Sequence, residues 1–295
     1  MRPINRLYEL FWIALVAIAS LTGCTIDRAE DREALSSSLR FYASFDESFD
    51  ADFATGDGRV WTSPTGNYDD AQKGMNHPAA SISEHRARRG NAAQFTEKSA
   101  SLLFYPAAGN VAYSPNGFSG TVSLYLVTDP VNELEHGYTD PIQITDKAWN
   151  DAAFFLDFTQ QPPRDFRLGV YSDYPFWNPD NIDYDDLTDQ QRPLITLTEP
   201  PFNGIRPIHV VFTFDNINHP ARPAVTRLYV DGELVGERRQ PERFTWDIAR
   251  TMIQIGINYI GTIDELAIFD RALTPQQIET LSRLEYGVGE LQPAE

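Results

Sequence analysis

Apolar and polar residues alternate with a period of two along much of this chain. In TVSLYLVT, Val122, Leu124 and Leu126 fall on one side and Ser123, Tyr125 and Val127 on the other. In HVVFTFD, Val210, Phe212 and Phe214 alternate with His209, Val211 and Thr213. Successive strand residues point to opposite faces, so each stretch predicts a strand with one face on a core. LRFYASF, NAAQF, SLLFY, AAFFLDF, FRLGVYS, MIQIGI and TIDELAIF read the same way. RLYVDGELVG sets Asp231-Gly232 between two apolar arms, and that dipeptide favours the positive φ angles of a type I′ hairpin. Many short strands separated by Gly, Pro, Asn and Asp predict an all-β fold, a two-sheet antiparallel jelly-roll sandwich.

One helix interrupts this pattern. In DRALTPQQIETLSRL, Thr274 is placed as N-cap, Pro275 takes the first helical position and Gln277 completes a capping box. Ile278, Leu281 and Leu284 recur at three-residue steps, which predicts a short C-terminal helix with one face docked. The remainder, residues 287–295, reads as a polar, frayed tail.

The N-terminus has a different character. Arg2 and Arg6 precede the apolar run Leu10–Leu21, and LTGC closes it at Cys24. A run this short suits a secretory signal better than a spanning helix, which needs roughly 20 apolar residues. LTGC resembles the lipobox of bacterial lipoproteins. That resemblance implies a signal peptide over 1–23, lipidation of Cys24 and a membrane anchor in the bacterial cell envelope, at the outer membrane or cell surface. A free thiol after an ordinary signal is the alternative. Residues 24–38, ending in a serine run, read as a flexible tether, and 39–286 as the domain. Cys24 is the only cysteine, so internal disulfides and cysteine-cluster metal sites are excluded. A formal net charge of −18 argues against nucleic acid and anionic lipid head groups as partners.

RLYVDGELVG, followed by IQIGINYIGTIDELAIFDRALTPQQIETL, is similar to the C-terminal half of the LamG-like jelly roll in the concanavalin A-like lectin/glucanase superfamily. FYASFDES, RRGNAAQF and GFSGTVSLYL resemble its earlier strands, so the likeness spans most of Leu39–Leu284. Its departures lie between Asp129 and Asn203. Hydrolytic members carry paired glutamates at alternating positions of one strand, about 5–5.5 Å apart. No segment here has that spacing, and Asp264 and Glu265 are adjacent, so on a regular strand they face opposite ways. The resemblance implies instead a structural Ca²⁺ held by the Asp264 side chain, with Asp46 and the carbonyl of Gly90 as helpers. The alternative is that Asp264 hydrogen-bonds the turn before the helix and binds nothing.

Other chemistry is sparse. Asp180, Asp183, Asp185, Asp186 and Asp189 crowd together but lack the spacing of a calcium loop, which makes a solvated cluster the better reading. His77, His85, His136, His209 and His219 form no zinc motif, and neither a G-x-S-x-G elbow nor a phosphate loop is present. Aromatic residues are the stronger signal. YSDYPFWNPDNIDY gathers Tyr171, Tyr174, Phe176, Trp177 and Tyr184 in one loop, and Trp149, Asn150 and Asp151 precede a strand. Sugars stack on such rings while amides and carboxylates take their hydroxyls; the same rings could equally staple a long loop to the sandwich. The leading expectation is a surface-anchored, non-catalytic module that binds carbohydrate or another extracellular ligand. A structural or adhesive protein docking an envelope partner, and a divergent glycoside-active enzyme, are the alternatives.

Overall fold

A computed structural model describes residues 29–292. In chain order its strands are β1 (Leu39–Ala43), β2 (Phe53–Ala54), β3 (Trp61–Ser63), β4 (Gln72–Lys73), β5 (Ala80–Ser83), β6 (Ala92–Phe95), β7 (Leu102–Pro106) and β8 (Phe118–Val127). There follow β9 (Thr139–Thr145), β10 (Ala153–Phe158), β11 (Phe166–Tyr171), β12 (Leu194–Leu197), β13 (Ile208–Ile217), β14 (Ala224–Val230), β15 (Glu233–Gln240), β16 (Met252–Ile257) and β17 (Gly261–Phe269). One sheet runs β15-β14-β13-β8-β17-β1-β2, with β6 and β5 joined beside β17; the other runs β12-β11-β10-β9-β16-β7-β3-β4. The two antiparallel sheets form the jelly-roll sandwich that the alternation predicts.

The strand pattern sets the core directly. Val122, Leu124 and Leu126 of β8 pair in register with Phe212, Val210 and Ile208 of β13, and all six point into the main core between the sheets. The β14–β15 hairpin turns at Asp231 and Gly232, whose φ angles of 50° and 82° are both left-handed as a type I′ turn requires. Six strands escape the sequence reading: the short β2, β3, β4 and β5, and β9 and β12. Pro141 interrupts β9, and proline in a run normally demotes it from a central strand.

A second apolar cluster lies on the outer face of the larger sheet. Residues 29–38 form helix α1, Tyr174–Trp177 a single-turn helix α2, and Pro275–Ser282 helix α3. The predicted capping box of α3 is present: the Gln277 N–H donates to Thr274 Oγ1 (3.2 Å) and the Thr274 N–H to Gln277 Oε1 (3.0 Å). Leu35 of α1, Ile278 and Leu281 of α3, and Val288 and Leu291 beyond it cover Tyr42, Val211, Ala267 and Phe269.

This corrects two expectations. The flexible tether is a helix from residue 29 to 38, with Leu35 fully buried and Ser36 Oγ donating to the Leu291 carbonyl at 2.7 Å. The rest of that segment, Cys24 included, lies outside the described residues. The polar tail, as far as residue 292, is packed through Val288 and Leu291. Each segment holds too few apolar residues to show a period, and only a groove supplied by the rest of the chain gives them a place to be buried. No helix among the described residues is long and apolar enough to cross a membrane.

Strand β17 is irregular where its two acids stand. Asp264 pairs with Tyr125 but Ala267 with Ser123, so one extra residue is inserted, and Glu265 takes a φ of 52°. Ile263 and Leu266 on either side both enter the main core, which leaves Asp264 and Glu265 both on the outer face. The expectation that they face opposite ways fails because the bulge breaks the alternation. Both are buried; Glu265 is engaged at both oxygens, Asp264 at Oδ2 alone, its Oδ1 having no hydrogen-bond partner among the described residues. Asp264 Oδ2 accepts from the backbone N–H groups of Arg88 (2.5 Å) and Arg89 (3.0 Å). Glu265 accepts from the Tyr42 hydroxyl (2.6 Å) and the Val288 N–H (2.8 Å).

Burial, with the adjacent Glu265 charge adding to it, holds Asp264 up at about 7 against the pull of the Arg89 and Arg88 amides. Burial likewise pushes Glu242 up to about 7.

These features lead to two expected outcomes. Leu35→Ala should lower the free energy of unfolding by about 2–5 kcal/mol, read as a shift in denaturant midpoint at constant slope; a loose tether would give no shift. Unfolded carboxylates release their protons near about pH 4, whereas Asp264 and Glu242 in the fold keep theirs to about 7. The native state therefore binds more protons across that window, and stability falls as pH rises through it. The melting temperature should be higher near about pH 5 than near about pH 8, and Asp264→Asn should flatten the slope. A melting temperature that climbs over this range would contradict the assignment.

Candidate functional site

The outer face of the smaller sheet is overlain not by the terminal helices but by loop residues: Trp149, and Trp177 of α2, meet Tyr171 of β11 edge-on. Its central strands send Ile142, Ile144, Phe154, Leu156, Leu168, Val170, Ile253 and Ile255 to the core. The alternate positions Gln143, Phe155, Asp157, Arg167 and Gln254 point outward and line a cavity of about 350 Å³. Register makes them neighbours: Gln143 stands opposite both Phe155 and Gln254, and Asp157 opposite Arg167. Tyr138 before β9, Trp149 in the β9–β10 loop, and Tyr184 with Asp185 in the β11–β12 loop form the walls.

A second bulge shapes the floor. Leu156 pairs with Ile142 but Phe158 with Thr139, so Asp140 and Pro141 together oppose Asp157. The extra residue shifts the alternation and turns Asp140 onto the cavity beside Asp157. Arg167 Nε donates to Asp157 Oδ1 at 2.8 Å, and its Nη2 donates to Asp157 Oδ2, a bidentate pair buried beneath the cavity. The same guanidinium lies 5.0 Å from the centre of the Tyr138 ring. Burial, then the charge of Asp157, pushes Asp140 well above the usual carboxylate range, with Arg167 opposing.

The aromatic wall is one packed group. Trp149 meets Phe155, Tyr171 and Tyr184 edge-on, at centroid separations of 6.3, 5.4 and 5.2 Å. Phe155 lies across Gly169 of the neighbouring strand, where a Cβ would come within 2.2 Å of its ring. Glycine at 169 is what lets that ring lie flat.

The residues expected to bind ligand therefore divide. Trp149, 41 % exposed, and Tyr184 line the cavity. Tyr171 is fully buried behind them. The others fasten the long β11–β12 loop: Trp177 Nε1 donates to the Asn150 carbonyl (2.8 Å), the Tyr174 N–H to Asp151 Oδ1 (2.9 Å), and the Tyr174 hydroxyl to Asn181 Oδ1 (2.9 Å). For Tyr171, Tyr174, Trp177, Asn150 and Asp151 the stapling alternative is what the structure shows. Tyr138, Asp140, Gln143, Phe155, Asp157, Arg167 and Gln254 were not singled out by sequence. Alternation within IQIT, FFLDF, FRLGV and MIQIG does mark several of them as outward-facing, but not that their strands are adjacent.

Asp264, Asp46 and Gly90 converge on the loop before β6. Asp46 Oδ1 accepts from the Asn91 N–H at 2.8 Å, and a Cβ at Gly90, whose φ is 44°, would fall 1.8 Å from that oxygen. The donors facing these carboxylates are N–H groups, which present positive charge, whereas Ca²⁺ needs roughly six to eight oxygens. Among the described residues no three His, Cys, Asp or Glu side chains converge as a metal would require. The arrangement does not fit a calcium ion; it fits a clamp that holds the loop to β17. Asp264 therefore hydrogen-bonds a turn, but that of residues 88 and 89 rather than the one before α3.

Comparison with known proteins places this geometry. Botulinum neurotoxin type C, whose route into cells depends upon interaction with two ganglioside molecules, is 12% identical with a TM-score of 0.51, over 88% of this chain and 52% of that one. The binding domain of botulinum neurotoxin DC, solved in complex with rat synaptotagmin II, is 10% identical with a TM-score of 0.52, over 88% and 52%. Domain 4 of AbnA, a GH43 extracellular arabinanase from Geobacillus stearothermophilus in complex with arabinotriose, is 17% identical with a TM-score of 0.44, over 82% and 97%. The chain thus spans about half the length of the neurotoxin structures, and at these identities the likeness is one of fold. No curated protein matches. Residues 142–279, which hold most of the cavity, match the model of the concanavalin A-like lectin/glucanases superfamily.

Proposed function

We propose that the protein is a non-catalytic binding module that takes a glycan into the cavity on the smaller sheet. The observation that carries this reading is the combination of aromatic walls with a polar floor. Trp149, Tyr138 and Tyr184 offer apolar ring surface, while Asp140, Gln143 and Gln254 offer acceptors and donors for hydroxyls. The volume lies in the range of small-ligand sites, roughly 300–1,000 Å³. Structural neighbours that act as binding domains support a capture role for the fold.

The way the acids are used supports binding without cleavage. A glycosidase needs two carboxyl groups available on either side of the scissile bond. Both oxygens of Asp157 are engaged by Arg167, so the acid beside Asp140 is tied down rather than poised. The reading includes an envelope location, with a lipid on Cys24 as the anchor. Helix α1, through which an anchored chain would enter the domain, packs on the opposite sheet, so the cavity opens away from that side.

A glycan array probed with the full chain should show binding, and Trp149→Ala should weaken it by about 2 kcal/mol, roughly thirtyfold. Tyr138→Ala should act in the same direction. Trp177→Ala should lower the melting temperature more than the affinity, because its indole secures the loop. Bound oligosaccharides should be recovered intact. Absence of binding to any glycan, or a Trp149→Ala variant with unchanged affinity, would overturn the proposal.

A further inference from the structure

The charge balance of the cavity singles out a class of glycan. Asp140, Asp157 and Asp185 line it, and among the described residues Arg167 is the only cation that does so. That cation is already used, with its edge on Asp157 and its face against Tyr138. No salt bridge or hydrogen bond from the described residues reaches the carboxylates of Asp140 or Asp185. Asp185 is exposed and solvated, whereas Asp140 is partly buried at the floor, set there by the β9 bulge.

We infer that the cavity selects glycans bearing a free amine, with the ammonium group seated on Asp140. This rests on the glycan reading and narrows it. A carboxylate at a partly buried floor without a hydrogen-bond donor is costly to ionise, and an ammonium supplies both the charge and the donors that the protein withholds. An acidic sugar meets the opposite situation, since the one cation lining the cavity among the described residues is already paired with Asp157.

Burial, and then the charge of Asp157, favour the protonated form of Asp140. The groups facing Asp140 are Asp157 and Arg167 on the neighbouring strands, Tyr138 on its own side, and Tyr184 and Asp185 on the overhanging loop. Of these only Arg167 favours its ionised form, and it is bound to Asp157. Arrival of an ammonium ion favours the ionised form and so promotes proton release to solvent, which a neutral sugar does not. No covalent bond changes.

Isothermal titration of the full chain with oligomers of glucosamine, of N-acetylglucosamine and of glucose, matched in length, tests the inference. The amine oligomer should bind on the order of tenfold to a hundredfold more tightly than the other two, as one charge-assisted hydrogen bond allows. Its advantage should shrink with added salt, and its heat should vary with the buffer's ionisation enthalpy. Asp140→Asn should remove the advantage. Equal affinity for the three oligomers, or an advantage that survives Asp140→Asn, would overturn the inference and leave glycan binding standing. Failure of all three to bind would overturn both. The comparison on the unaltered protein decides the matter even if the variant folds poorly.

Discussion

Every strand of a sandwich sends alternate residues to the core and to the outside, so each sheet's outer face must be either covered or able to meet water. The two sheets meet this constraint in opposite ways. Outward positions of the larger sheet are apolar at Tyr42, Val211, Ala267 and Phe269, and the terminal helices bury them. Outward positions of the smaller sheet are Gln143, Asp157, Arg167 and Gln254, themselves buried but lining the cavity. The helical cover on one side and the cavity on the other follow from a single difference in the pattern of outward residues.

Two bulges then adapt the regular lattice to special tasks. In β17 the extra residue brings Asp264 and Glu265 to one face, where they gather a loop and the C-terminal segment onto the same strand. In β9 the extra residue turns Asp140 onto the cavity. Both leave a carboxylate partly or wholly out of water, and the outcome depends on the partners supplied. Asp264 is met by backbone amides and becomes a structural clamp. Asp140 is met by another acid and an occupied arginine, which leaves it free to meet something else.

The arginine pair shows how one interaction settles the chemistry of its surroundings. Bidentate geometry ties Asp157 and Arg167 together below the floor, compensating two charges that would each be expensive to bury alone. The guanidinium is thereby withdrawn from any anionic ligand, and Asp157 from any role as a nucleophile. What remains at the cavity is aromatic area, amides and the carboxylates of Asp140 and Asp185.

Much of this fold was legible in the chain. Period-two alternation in β8 and β13, the Asp231-Gly232 turn and the capping box of α3 are local signals, each set by residues within a few positions of one another, and each holds in the structure. The aromatic residues of the β9–β10 and β11–β12 loops were noticed for sound reasons, yet only Trp149 and Tyr184 of them reach the cavity. Whether a ring faces a ligand or the protein depends on what packs behind it, and no local pattern encodes that. The same limit explains the termini: Leu35 and Leu291 are single apolar residues in polar company, buried because a groove assembled from distant strands receives them. By itself the sequence determined the strands, the hairpin and the superfamily likeness, because those rest on short-range periodicity and turn chemistry. Only the tertiary structure decided that Asp140, Asp157 and Arg167 meet at one cavity, because strand order and bulges arise from pairings between segments far apart in the chain.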